Sequence, residues 1–306
     1  NVGYYAYQEL YSIANNLGES GVIASRLATP NLSWETNLNL NIALDFGLWN
    51  NRLNGSIEVF VRHSNDLLFS LNLVPSSGYT DMDANIGAMR NVGWEFQING
   101  QPVKNRDWEW NVSFNATTYK NTITSLPSKE MWSGNKKWVK GGSLYDWYLI
   151  EWAGVNSKDG NPQWYGIDDK GEKYITEDYT SMSADDKVRV CSSLPDVTGS
   201  MQSNLSYKNW SFSMFFSYSL GGKIYNGDKV SLLSQGPSGT GWSADMLNRW
   251  TTDNTNTDIP RLTTSPASSW TNTSSRFLVS RDYLKLKNIS LGYSLPTTWF
   301  QRLGLQ

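Results

Sequence analysis

Residues 34–49 sort their side chains by parity. Trp34, Thr36, Leu38, Leu40, Ile42, Leu44, Phe46 and Leu48 are apolar or fit an apolar face, while Glu35, Asn37, Asn39, Asn41, Ala43, Asp45 and Gly47 are polar or small. A period of two puts the two sets on opposite sides of a strand. The chain turns at Asn50 and Asn51 and returns through residues 52–62 with matching parity. Pairing residues whose numbers sum to 101 sets Leu44 against Ile57, Ile42 against Val59 and Leu40 against Val61. The same register opposes Asp45 to Ser56, Ala43 to Glu58 and Asn39 to Arg62 on the other face. One register satisfies both faces, as a hairpin requires.

The length of this hairpin narrows what it can belong to. A globular strand averages about five or six residues, whereas a tilted strand crosses a bilayer in roughly nine to eleven. A long hairpin that is apolar on one side and hydrated on the other is the unit of a transmembrane barrel. A soluble sandwich, with the apolar face against a second sheet, is the rival.

Composition excludes other classes. The 306 residues are 39% hydrophobic, with a mean hydropathy of −0.48. No stretch approaches the roughly 18 apolar residues of a helical span. That leaves a barrel open, because alternation averages hydropathy away. A net charge of −2 offers no basic surface, so no nucleic-acid partner is expected. Fifteen Trp and sixteen Tyr call for interfacial girdles or ligand-stacking surfaces. Cys191 is the sole cysteine, which rules out an internal disulfide and paired-thiol chemistry. His63, the sole histidine, closes an apolar strand face and reads as an interfacial or loop side chain, not a catalytic one.

The alternation recurs. Val92, Trp94, Phe96 and Ile98 mark one alternating run, and Trp108, Trp110, Val112 and Phe114 a second, joined by a short connection at 102–106. A third hairpin turns at Lys208 and Asn209, with pairs summing to 417. A seventh strand is predicted over about 277–294, with a parity shift between Leu286 and Ile289 that a bulge explains. Short turns alternate with long connections at 70–90, 121–196 and 221–276. Connections above roughly fifteen residues are uncommon in compact domains. Three of them at one end, with tight turns at the other, are the asymmetry of an outer-membrane barrel. The short end also gathers Trp49, Trp108, Trp110, Tyr207, Trp210, Tyr293 and Trp299, as an interfacial girdle does. Inside 121–196, a smaller hairpin is predicted from 144–155 and 162–165, and Ser183 is placed to cap a short helix over 181–187.

Several stretches then become recognisable. Pro30-Asn31-Leu32-Ser33-Trp34-Glu35 runs into Asn41-Ile42-Ala43-Leu44-Asp45-Phe46-Gly47-Leu48. Asn51-Arg52-Leu53-Asn54-Gly55-Ser56, Asn85-Ile86-Gly87-Ala88-Met89-Arg90-Asn91-Val92-Gly93-Trp94-Glu95 and Tyr283-Leu284-Lys285-Leu286-Lys287-Asn288-Ile289-Ser290-Leu291-Gly292-Tyr293 follow. In this order and spacing, from about Pro30 onward, the chain resembles the C-terminal barrel half of the SusC/RagA family, the TonB-dependent outer-membrane transporters of Bacteroidetes-type bacteria. The resemblance implies a 22-stranded barrel around an N-terminal plug, a TonB-contacting segment ahead of the plug, and a SusD-like surface lipoprotein over the long loops. It also implies import of oligosaccharides or peptides, with neither catalytic residues nor a cofactor. The expected fold is all-β: about seven long strands of a partial transmembrane antiparallel barrel, with short periplasmic turns and long extracellular loops. Residues 1–306 are expected to be the C-terminal portion of that barrel, a fragment without plug or terminal strands.

Candidate site residues divide into two sets. The lumen-facing set is Asn37, Asn39, Asn41, Asp45, Glu58 and Arg62, with Ser56, Asn111, Ser113 and Asn115, available to a passing polar solute or to a plug. Among the loop aromatics, Trp132, Trp138, Trp147, Trp164, Trp242 and Trp270 either stack on substrate or a lipoprotein lid, or pack among the loops themselves. Trp152 and Trp250 share that choice. The acids Asp159, Asp168, Asp169, Glu172, Asp178, Asp185 and Asp186 match no EF-hand spacing and read as solvated turn residues, so no metal is expected. The alternative to import is a soluble, aromatic-rich β-sheet module that binds glycans at a cell surface.

Overall fold

The computed structural model describes residues 7–234, 241–265 and 269–295. Seven strands form one antiparallel meander: β1 Thr36–Leu48, β2 Leu53–Asn65, β3 Ala88–Lys104, β4 Trp108–Ser125, β5 Val197–Tyr207, β6 Trp210–Leu220 and β7 Tyr283–Tyr293. Each pairs with its neighbours in that order, so β1 and β7 each have one hydrogen-bonded neighbour among the described residues. The wall is therefore a barrel only partly closed. Trp299, assigned to the girdle, lies outside the described residues.

The predicted registers hold across the wall. β1 and β2 pair from Leu48 and Leu53 out to Thr36 and Asn65 with every sum equal to 101. β5 and β6 keep the 417 sum from Tyr207 and Trp210 to Val197 and Leu220. Trp49, Asn50 and Asn51 all take positive φ at the first turn, a conformation asparagine tolerates better than most residues. The turn between β3 and β4 is tighter than expected. β3 runs on to Lys104 through a bulge between Gly100 and Val103, which accommodates Pro102, and the Asn105 side chain accepts from the Asp107 and Trp108 amides. In β7, Asn288 pairs with Phe215 and Leu286 with Phe216, leaving Lys287 unpaired, which is the bulge behind the parity shift.

Other boundaries differ. The predicted 277–294 strand is broken, because Ser275–Phe277 forms a 3-10 turn and Leu278–Ser280 pairs with Lys223–Tyr225. β4 continues to Ser125, so the longest connection starts after it. Within that connection Glu151–Val155 pairs with Pro162–Ile167 as predicted. Asp146–Leu149 belongs instead to a separate sheet with Lys136–Val139 and Val188–Ser192. No helix forms over 181–187: the 3-10 turn Tyr179–Ser181 is capped by Asp178, and the Ser183 amide donates to Asp186 Oδ2 at 2.7 Å. A hairpin of Leu10–Asn16 with Glu19–Arg26 precedes the wall and was not anticipated.

The hydrophobic core lies in the long connections, not in the wall. Ile150, Trp164, Leu233, Met246, Ile259, Trp270 and Phe277 bury one another there, drawing on both 126–196 and 221–282. The apolar side of β1 stays open, with Leu38, Leu40, Ile42 and Leu44 between 57% and 66% exposed. This inversion, greasy outside and packed above, suits a strand surface bathed in hydrocarbon.

Candidate functional site

Pairing fixes which side chains share the polar face. Asn37, Asn39, Asn41 and Asp45 lie opposite Ser64, Arg62, Phe60 and Ser56, and the Ser64 hydroxyl donates to Asn37 Oδ1 at 2.6 Å. Glu58 is set against Glu95, with Arg62 against Asn91. Neighbouring strands continue the face with Ser113 and Asn115, then Ser200 and Gln202. Asn115 Nδ2 donates to Ser200 Oγ at 2.6 Å, and the Ser213 and Ser290 hydroxyls are bonded at 2.8 Å. The face thus carries charge on β1–β3 and continues through the hydroxyls and amides of Ser113, Asn115, Ser200, Gln202, Ser213 and Ser290, with Glu109 on β4 and Lys285 on β7 as further charges.

Phe60 is the residue that the candidate set lacked. It is buried on the polar face, over Gly93 and against Tyr119 at 6.4 Å, with the Arg62 guanidinium 4.6 Å from its ring. A Cβ at Gly93 would meet Phe60 Cζ at 2.6 Å, so glycine makes room for the ring. Its parity carried the signal, since 60 pairs with 41 in the 101 sum.

The loop tryptophans divide by burial. Trp164 and Trp270 are 0% exposed, so of the two readings these rings follow packing among the loops and present no face to a ligand. Trp164 meets Trp152 and Tyr179 edge-on at 5.7 and 5.2 Å. Trp147 is engaged twice: Lys136 Nζ sits 4.1 Å over its ring, and its Nε1 donates to Lys223 O. Trp132 lies within 5.2 and 5.3 Å of Lys137 and Lys187, and Trp138 packs on Phe69 at 5.2 Å. Trp242, 46% exposed, is the open ring of the six.

Charges in the loops serve structure. Arg189 makes a bidentate pair with buried Asp146 at 2.7 and 3.0 Å. Lys136 donates to Tyr145 O and Ser193 Oγ, both at 2.9 Å, and burial lowers its pKa. The Arg276 guanidinium lies 4.5 Å from the Trp152 ring and 5.3 Å from that of Trp270; burial pulls it down to about 10 while Asp258 opposes the shift. Asp168 Oδ1 accepts from the Lys170 and Glu172 amides, Asp159 Oδ1 from Asn161, and Asp186 Oδ1 from Ile167, which makes these acids turn and cap residues. Among the described residues no group of three His, Cys, Asp or Glu is placed to hold a metal.

Comparison with known proteins places these features in context. A family model for the TonB dependent receptor-like β-barrel matches residues 3–305. TonB-dependent receptor P3 of Formosa agariphila is 31% identical over 98% of this chain and 31% of its own length. TonB-dependent receptor SusC of Bacteroides thetaiotaomicron is 27% identical over 96% of this chain and 30% of its own. The solved structure of the RagAB peptide transporter superposes with a TM-score of 0.85 at 30% identity, covering 97% of this chain and 33% of that one. The chain thus spans about a third of the length of the relatives it matches.

Proposed function

Because this chain belongs to the TonB-dependent receptor β-barrel family of the bacterial outer membrane, we propose that it supplies barrel wall and outer loops to an importer of oligosaccharides or peptides. In this reading residues 1–306 are the C-terminal portion of the barrel, a SusD-like lipoprotein covers the long loops, and a TonB-contacting plug from outside this segment couples import to energy. The protein performs no bond-making. The observation that supports the reading is the two-faced wall: one register gives an open apolar face and a polar interior face over the same thirteen-residue strand. A soluble glycan-binding module leaves that apolar face in contact with water. Glu58 and Glu95, opposed without an ion pair among the described residues, favour a basic counterpart within the barrel, as a plug could supply. Trp242 is the ring we assign to contact with the lipoprotein or the solute.

The test is depletion of defined oligosaccharide and peptide mixtures by cells with and without the full-length gene, with and without an uncoupler. Energy-dependent depletion that vanishes on deletion is the expected result, and the depleted class names the substrate. Equal depletion by both strains contradicts the proposal.

A further inference from the structure

The apolar face of the wall is not uniform. On its outer half one row contains Ala116, Gly199, Tyr218 and Leu284, fixed by the pairings of Gly199 with Ala116 and Tyr218 and of Tyr218 with Leu284. Ala116 has little side chain and the space over Gly199 is taken by the Tyr218 ring, so the row dips at Ala116. Tyr218 lies across Gly199 and donates to Asn115 O at 2.9 Å; a Cβ on Gly199 would meet the Tyr218 oxygen at 2.5 Å. Phe114 stacks on Tyr218 at 5.9 Å and 13°. Val197 and Leu220 close the outer side and Met201 the inner side of a groove of about 700 Å³. That is within the range of about 300–1,000 Å³ typical of ligand sites.

A second, polar cleft of about 730 Å³ begins where the groove ends. β4 outruns β5, whose pairing with it stops at Thr198 and Thr117. Thr118, Lys120, Tyr148, Arg189, Ser192 and Asp196 line the resulting gap. Thr118 is the next apolar-face position after Ala116, and Asp196 directly precedes Val197, so the cleft lies next along the strands from the groove.

We propose that groove and cleft together hold one glycolipid of the outer leaflet. One acyl chain lies over Ala116 and against the Tyr218 ring, and the hydroxyl-bearing headgroup sits against Thr118, Lys120 and Tyr148. Hydrocarbon is the occupant of the groove because the groove is continuous with the face that the membrane covers. A sugar headgroup suits the cleft because its charges balance: Arg189 is paired with Asp146, and Lys120 is offset by Asp196, so the cleft offers donors and acceptors to hydroxyls without the net positive charge that a bare phosphate needs. The proposal rests on the membrane reading of the wall, and membrane fractionation of the full-length protein checks that reading separately.

The experiment is mass spectrometry of lipids retained by the full-length transporter, purified from outer membranes and washed exhaustively in mild detergent. Wild type is expected to keep about one glycolipid per protein. Ala116→Phe, which fills the groove, lowers retention about tenfold, corresponding to about 1.4 kcal/mol. Val61→Phe, on the same face of β2 but outside the groove, leaves it unchanged. Lys120→Gln, which alters the cleft and lies outside the groove, also lowers retention and serves if Ala116→Phe fails to assemble. Undiminished retention in both Ala116→Phe and Lys120→Gln overturns the proposal, as does retained phospholipid or wild-type protein without bound lipid.

Discussion

Trp164→Ala separates the loop body from the wall energetically. The ring is fully buried, and it meets Trp152 and Tyr179 edge-on. Large-to-small changes of this kind cost about 3–5 kcal/mol, a figure that already contains the aromatic pairs at roughly 0.5–1.5 kcal/mol each. Its Nε1 has no hydrogen-bond partner in the structure, so the loss is one of packing and cavity formation. Trp242→Ala, at a half-exposed ring, should cost within about 0.5 kcal/mol. The gap of about 2.5 kcal/mol or more corresponds to a difference in local opening of at least roughly sixtyfold, at about 1.4 kcal/mol per factor of ten. Because the core draws on both long connections, that opening should expose 126–196 and 221–282 together. Limited proteolysis of the full-length protein in outer-membrane vesicles reads the open population when closing outpaces cleavage. The expected result is rapid cleavage in both segments for Trp164→Ala and wild-type rates for Trp242→Ala, with the heat-modifiable mobility of the barrel unchanged in each. Equal cleavage of the two variants refutes a shared loop core.

Three further outcomes follow from the wall and the loop chemistry. Ile42→Arg places a charge on the apolar face and should cost roughly 2–4 kcal/mol at mid-bilayer, whereas Asn41→Arg on the polar face should be tolerated; folding yield into lipid vesicles compares them, and parity between the two contradicts the face assignment. Glu58→Gln relieves the opposition with Glu95 and should stabilise the barrel lacking its basic counterpart by about 0.2–1 kcal/mol, measured by urea unfolding in vesicles; a loss of stability counts against that pairing. Burial raises the Cys191 thiol above its ordinary 9.0, so the folded state holds that proton longer than the unfolded state does. Its contribution to loop stability is complete below about pH 9 and is lost as pH rises through the raised value. Iodoacetamide labelling should be slower in the native protein than in urea at pH 8, and equal rates contradict the burial.

The wall was legible because two independent faces had to agree on one register, and a period of two admits no slippage between them. The β7 bulge was legible for the same reason, since Lys287 interrupts an otherwise strict alternation. The loops were not. Their strands are three to six residues long, with apolar residues on both sides, so parity does not rank their faces. Nothing local distinguishes Trp164, closed in the core, from Trp242, open to solvent; their burial is decided by segments more than fifty residues apart. The predicted 277–294 strand starts only at Tyr283 because Lys223–Tyr225 captures Leu278–Ser280, a pairing visible only once the loops fold. Phe60 was readable from its parity and was passed over because an aromatic ring fits poorly with a polar face until Gly93 makes room for it.

The central claim is that β1 separates lipid from a wet interior. Nitroxide labels placed one at a time at residues 39–46 of the full-length protein, in a Cys191→Ser background and in lipid vesicles, test it directly. The account predicts collision with oxygen to peak at Leu40, Ile42, Leu44 and Phe46, and collision with a water-soluble nickel chelate to be greater at Asn39, Asn41, Ala43 and Asp45. Loss of the period of two, or chelate access at the even positions equal to that at the odd ones, contradicts it.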